Sequence, residues 1–190
     1  MPVLFDTEYT AWEGSMANRW LRPGEFREVV QIGAVKVDAR TLAIVAEFEI
    51  LVQPRCNPVL SDYFQKLTGI TNVAVNARGV GFREAYERFV AFVGDDGMAA
   101  FGRDDIVLAD NLKLYGIRDA PPIPPHTNIA IWLRENGIST SGLHACDIAG
   151  ACGIAFEGRK HDALDDARSI AAGVRALVER GAANPFSGAR

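Results

Sequence analysis

Residues 28–53 hold two long β-branched runs, EVVQIGAVKVD (28–38) and LAIVAEFEILVQ (42–53), with only Ala39, Arg40 and Thr41 between them. A connection that short joins neighbouring strands only as an antiparallel hairpin. Pro54 and Pro58 end the second run. The stretch PVLFDTEY (2–9) reads as a strand before the hairpin, and 10–27, polar and irregular with two Trp and a Pro-Gly, reads as a loop. Residues 82–94 exclude an all-β chain. Their sequence, FREAYERFVAFVG, carries apolar residues at 82, 85, 86, 89, 90, 92 and 93, which is one face of a helix.

The remaining segments alternate. SDYFQKLTGIT (61–71) predicts a short helix capped by Ser61 and stopped near Gly69, and MAAFG (98–102) a short buried strand. A helix starts near Asp104 or Asp105 and runs to about Tyr115. APPIPPH (120–126) is a rigid connector, NIAIW (128–132) a strand and HACDIAGACG (144–153) a short helix. DALDDARSIAAGVRALVER (162–180) is the last helix, with Asp162 as its N-cap. Three strands, then helices alternating with two shorter strands, predict an α/β or α+β domain, with a mixed five-stranded sheet and helices on both faces. Residues 1–180 form one domain and 181–190 a loose tail.

Composition narrows the class. A chain of 190 residues suits one domain with a real core. No apolar run reaches the ~18 residues of a membrane helix, and the start, MPVLFDTEYT, lacks a basic region of the signal-peptide kind. The three cysteines, Cys56, Cys146 and Cys152, fit neither a disulfide framework nor a zinc spacing. Reduced thiols in a cytoplasmic protein are expected. Lys+Arg 20 against Asp+Glu 24 gives net −4, which argues against a general duplex-coating protein.

Three acidic segments carry chemistry. Along Leu4-Phe5-Asp6-Thr7-Glu8, strand alternation places Asp6 and Glu8 on one face with Leu4. Two such carboxylates repel by several kcal/mol at an effective dielectric of ~20; a hard divalent cation with oxygen ligands removes that cost. FGRDDIVLADN (101–111) brings acids to a helix start. Asp105 heads a face continued by Leu108, Ala109 and Leu112, and is the preferred ligand, with Asp104 as its rival. In Gly158-Arg159-Lys160-His161-Asp162 and the helix behind it, Asp166 shares the face of Ala163, Ala167 and Ile170, while Asp165 points outward with Arg168. His161 hangs over the same site and titrates near neutrality. Four carboxylates and a histidine are what two-metal phosphoryl chemistry requires.

Asp6-x-Glu8-x-Thr10, the FGRDD segment and His161 with Asp166 resemble the three motifs of the DEDDh 3′–5′ exonucleases. EVVQIGAVKVD, LVQPRCNPVLSDYFQKLTGIT and FEGRKHDALDDARSIA are similar to the enhancer-of-RNA-interference and histone-mRNA 3′-end exonuclease subgroup, over about residues 2–175. The resemblance implies a ribonuclease H-like fold, with strands 1–3 antiparallel and strands 4 and 5 parallel to the first. It implies two divalent ions, Mg²⁺ or Mn²⁺, held by Asp6, Glu8, Asp105 and Asp166, with His161 as general base. It further implies a single-stranded nucleic acid with a free 3′ end as partner, and release of nucleoside 5′-monophosphates. Thr10 would support the terminal nucleotide through the chain just after Glu8. The 11–27 loop is longer than the family leads one to expect; its Trp12, Trp20, Arg19, Arg22 and Arg27 would stack on bases and touch phosphates, or its two Trp would pack the loop on the domain. The subgroup's second motif has an aromatic residue where this chain has Asp104, so Asp104 and Asp105 both stay open. The competing functions are a nucleic-acid binding module with a silent site and a ribonuclease H-like endonuclease.

Overall fold

The structure is a computed structural model and describes residues 1–187. Its sheet has five strands in the order β3-β2-β1-β4-β5: β1 (Val3–Tyr9), β2 (Val29–Val37), β3 (Ile44–Leu51), β4 (Met98–Ala100) and β5 (His126–Asn128). β1 pairs antiparallel with β2, and β2 with β3, while β4 and β5 continue parallel to β1. The hairpin forms as expected. Asp38 Oδ1 accepts from the N–H groups of Arg40 and Thr41 at 3.1 and 2.8 Å, closing the turn between β2 and β3.

The central position of β1 decides where its side chains go. Val3 and Phe5 face helix α4 (Phe82–Val93), whose Phe82, Tyr86 and Phe89 complete one core layer. Leu4 faces the other way, onto α8 (Ala163–Glu179), with Val35, Ala167, Ile170 and Val174 around it. Each fully buried side chain of this size contributes about 1.5–3 kcal/mol. By the same alternation Asp6 and Glu8 stand on the α8 side.

The start of α8 lies directly on the sheet. Gly33, paired with Asp6 across β1 and β2, makes this possible: a Cβ there would lie 2.1 Å from the Leu164 nitrogen. Asp162 caps the helix by accepting from the N–H groups of Leu164 and Asp165, as its position predicts.

Several expectations are corrected. The strand expected over 128–132 is two elements: β5 ends at Asn128, whose Oδ1 accepts from the Ala130 N–H at 3.0 Å and starts helix α6 (Ile129–Glu135). An N-cap at Asn128 overrides the β-branched look of the segment. The 10–27 loop holds one turn of helix, α1 (Ser15–Asn18). Two short helices, α2 (Asp62–Thr68) and α3 (Asn72–Arg78), come after β3, the first capped by Ser61 as predicted. The helix expected over 144–153 is a 3₁₀ turn, Ala145–Asp147, leading into α7 (Ile148–Ala151). In the segment expected as a tail, Ala183 accepts from the Trp132 indole N–H, and the Asn184 amide donates to the Ala39 carbonyl. The rest of the expected tail, 188–190, lies outside the described residues.

Candidate active site

A cleft of about 400 Å³ opens at the ends of β1 and β4, walled by α1, α2 and the start of α8. Asp6, Glu8, Asp104, His161 and Asp166 all line it. Each comes from a different constraint. Strand alternation delivers Asp6 and Glu8. Asp104 opens helix α5 (Asp104–Leu114), just past the end of β4. Asp166 sits in the first turn of α8, only 2% exposed and pressed onto β1 by the Gly33 contact.

Of the two acids left open at this helix start, Asp104 lines the cleft and Asp105, the one preferred from the sequence, does not. Thr7 donates its hydroxyl to Asp104 Oδ1 at 2.6 Å, whereas Asp105 turns aside to Arg103 at 2.9 Å, with the His126 ring 3.4 Å away. The helical-face argument fails at Asn111, which makes the Asp104 face look less apolar than its rival. Val107, Leu108 and Asn111 are in fact the buried face of α5, and Ala109 is exposed. Asn111 points inward to serve backbone groups: Oδ1 accepts from the Val29 N–H, and Nδ2 donates to the carbonyls of Arg27 and Val107. Asp110, the third acid of the segment, pairs with Arg27 at 2.8 Å.

The cluster is electrostatically loaded. Burial, followed by the charges of Asp104, Glu8 and Asp166, pushes the Asp6 carboxyl well above the usual carboxylate range. Glu8 is raised by burial and then by Asp166 and Asp104. Burial raises Asp104 to about 6 against the Thr7 hydrogen bond, and raises Asp166 to about 7 with help from Asp162 and Asp165. His161 moves the other way: burial, then the neighbouring His144, lower it. Its imidazole is therefore neutral near pH 7.

These residues fit a divalent cation. Glu8, His161 and Asp166 each offer an atom, and the three atoms lie within 4.8 Å of one another. Asp166 Oδ1 is buried with no hydrogen-bond partner. A desolvated carboxylate oxygen without a donor is costly, and Asp6, Glu8 and Asp104 line the same cleft. A divalent cation held among Glu8, His161 and Asp166 would satisfy that oxygen.

The Exonuclease (RNase T) family model matches residues 3–173. The chain belongs to that family. It is similar to the 3′-5′ exonuclease Snipper of Drosophila melanogaster, 28% identical over 205 residues that cover 95% of this chain and 70% of Snipper. It is also similar to ERI1 exoribonuclease 2 of Xenopus laevis, 28% identical over 89% of this chain; the match spans only 27% of that longer protein. Among solved structures, the nuclease domain of 3′hExo, described as a DEDDh family member bound to rAMP, superposes with a TM-score of 0.79 at 24% identity, covering 95% of this chain and 92% of that one. The exonuclease family, the exonuclease class of enzyme and the ribonuclease H-like fold expected from the sequence are borne out.

Within this exonuclease domain the two residues expected to hold substrate part company. Trp12 lines the cleft. Thr10 is buried, its hydroxyl donating to the Phe26 carbonyl and accepting from the Glu28 N–H, so it closes the base of the 11–27 loop instead. Trp20 packs inward beside it, donating its indole N–H to the Thr10 carbonyl at 2.9 Å and lying edge-on to Tyr9.

Three further residues shape the site without standing out in the sequence. Gln31, opposite Glu8 on β2, accepts from the Ala163 N–H at 3.0 Å and donates to Glu49, tying the start of α8 to the sheet. Its signal is a polar residue inside the apolar first half of a strand. Gly33, two residues on, has the signal of a glycine inside the same run. His144 lies 5.4 Å from His161, ring centre to ring centre. Nothing in the sequence marks that pair.

Proposed function

We propose that this chain is a metal-dependent 3′–5′ exonuclease that shortens single-stranded nucleic acid and releases nucleoside 5′-monophosphates. The observation that carries this reading is the convergence of Asp6, Glu8, Asp104 and Asp166 on one cleft that His161 also lines. Asp6, Glu8, Asp104 and Asp166 would hold two divalent ions, Mg²⁺ or Mn²⁺. Bound there, such ions supply charge stabilisation for an in-line displacement at phosphorus.

The chain's own residues supply the rest. His161 accepts the proton of the attacking water at its free ring nitrogen, a role worth roughly 10²–10⁴ in rate. Water adds to the phosphorus of the last phosphodiester and the bond from phosphorus to O3′ of the preceding nucleotide breaks. The terminal nucleotide leaves as a 5′-monophosphate and the shortened strand keeps a 3′ hydroxyl. Thr7 fixes the Asp104 carboxylate through its hydroxyl, and Trp12 presents an aromatic face to a base at the cleft wall.

The relatives' names point to RNA in ERI1 exoribonuclease 2 and leave the sugar open in Snipper. The test is a timed digestion of matched 5′-labelled single-stranded RNA and DNA, with Mg²⁺, Mn²⁺ or EDTA. The expected result is a ladder shortening from the 3′ end, lost in EDTA and in Asp6→Ala. Retention of label on the protein without cleavage in either metal would replace this reading with a binding module. Cleavage of a circular strand would replace it with an endonuclease.

A further inference from the structure

His161 has two properties that pull apart. Its backbone is held in the left-handed region, φ 58°, where a residue with a side chain is rarely found unless its surroundings over-determine it. Its imidazole, in contrast, takes part in no hydrogen bond among the described residues. The ring it meets is that of His144, edge to face, with centroids 5.4 Å apart and planes at 73°.

His144 is itself anchored. Its N–H donates to Asp147 Oδ2 at 3.1 Å, at the start of the 3₁₀ turn. The other oxygen of the same carboxylate, Asp147 Oδ1, takes the ammonium of Lys160 at 2.8 Å, one residue before His161. The turn at 144–147 and the segment at 160–161 are thus joined at two points, one ionic and one aromatic. The Lys160 pair is largely exposed and adds little by itself. The aromatic contact reaches into the cleft, which both rings line.

We propose that His144 is a positioning residue, whose ring fixes the rotamer of the His161 imidazole so that it faces Glu8 and Asp166. The proposal rests on the reading of His161 as the base. It makes the 139–145 connector, which carries none of the acidic ligands, part of the catalytic geometry.

The test compares His144→Ala, His144→Phe and His144→Gln with His161→Ala on a labelled single-stranded oligonucleotide, together with ¹⁵N–¹H spectra of the His161 side chain. His144 is exposed, so these variants fold. Because a side chain released from one rotamer divides among neighbouring wells, His144→Ala is expected to lower kcat about tenfold, with KM within about twofold, and to shift and broaden the His161 ring signals. His144→Phe, which keeps an edge-to-face ring, restores both. Unchanged kcat and unchanged ring signals in His144→Ala would overturn the proposal. So would rescue by Gln but not by Phe, which would assign the effect to a polar atom of His144 rather than to its ring. If His161→Ala turns over at the wild-type rate, it is the base assignment that fails. The spectra need no turnover and still decide whether His144 orients the ring.

Discussion

Glu28 and the Asp6–Glu8–Asp104–Asp166 cluster are both acids taken out of water beside the same sheet, and they are treated in opposite ways. Glu28, fully buried, receives the N–H groups of Arg55, Cys56 and Asn57 at 2.7, 2.7 and 2.6 Å, and the Tyr115 hydroxyl at 2.5 Å. Every oxygen is saturated from within the chain. The cluster has one hydroxyl, from Thr7, an orphaned oxygen on Asp166, and carboxyls raised by burial first and by neighbouring charges second. A buried charge that the fold satisfies is a staple. One that the fold leaves unsatisfied, as at Asp166, in a cleft lined by three more acids, is built for something that comes from outside.

The comparison breaks most visibly at Asp166. Asp166→Asn is expected to reduce turnover by roughly 10⁴-fold, the scale seen when one member of a catalytic unit is removed. The metal-free variant should nonetheless melt higher than the wild type, by several degrees, because a few kcal/mol of desolvation and repulsion are relieved. Steady-state rates and thermal unfolding in EDTA check both. Glu28→Ala should do the reverse. Three part-buried N–H groups and the Tyr115 hydroxyl lose their acceptor, so stability falls, while the cleft residues keep their places and the molecules that remain folded keep their metal-dependent activity per active site. Urea unfolding with active-site titration measures this.

The pH dependence sharpens the contrast. Burial raises Asp166 to about 7 in the folded protein, against ~3.9 for an unfolded Asp. A carboxyl raised on folding contributes stability that is complete below its unfolded pKa and is lost as pH rises through the folded value. The advantage of metal-free Asp166→Asn over the wild type is therefore expected at pH 8 and should shrink by pH 5. Paired melting curves at the two pH values read it. The smallest effect is expected next door: Asp105 is paired with Arg103 at an exposed guanidinium, so Asp105→Asn should change kcat by less than about threefold, where Asp104→Asn removes a ligand. A loss in Asp105→Asn as deep as that in Asp104→Asn would reverse the assignment.

The contrast also separates what is legible in the sequence from what is not. The hairpin at 28–53, the amphipathic helix at 82–93 and the capped helix behind Asp162 follow from period and capping, which are local. Asp6, Glu8 and Asp166 are legible for the same reason, since alternation on a strand and the face of a helix place them. Asp104 looks the weaker rival of Asp105 in the sequence, because polarity marks its face as outward and Asn111 is a polar residue folded inward to serve backbone groups of the sheet. Gln31, Gly33 and His144 act across 131, 130 and 17 positions of chain, on Asp162, Ala163 and His161 respectively. Contacts of that kind exist only once the sheet has formed. The staple at Glu28 is invisible for a related reason: three of its four donors are backbone groups, which carry no mark in a sequence, and the fourth, the Tyr115 hydroxyl, lies 87 positions away.

The most direct measurement is a titration of the metal-free protein with Mn²⁺, by calorimetry and by thermal unfolding, in the wild type, Asp166→Asn and Glu28→Ala. Binding to the folded state raises stability with cation concentration. The account predicts saturable binding with a rising melting temperature in the wild type and in the folded fraction of Glu28→Ala, and neither in Asp166→Asn despite its higher starting stability. A wild type that neither binds Mn²⁺ nor gains stability from it, or an Asp166→Asn protein that binds it equally well, would contradict the claim that the unsatisfied acids form a cation site.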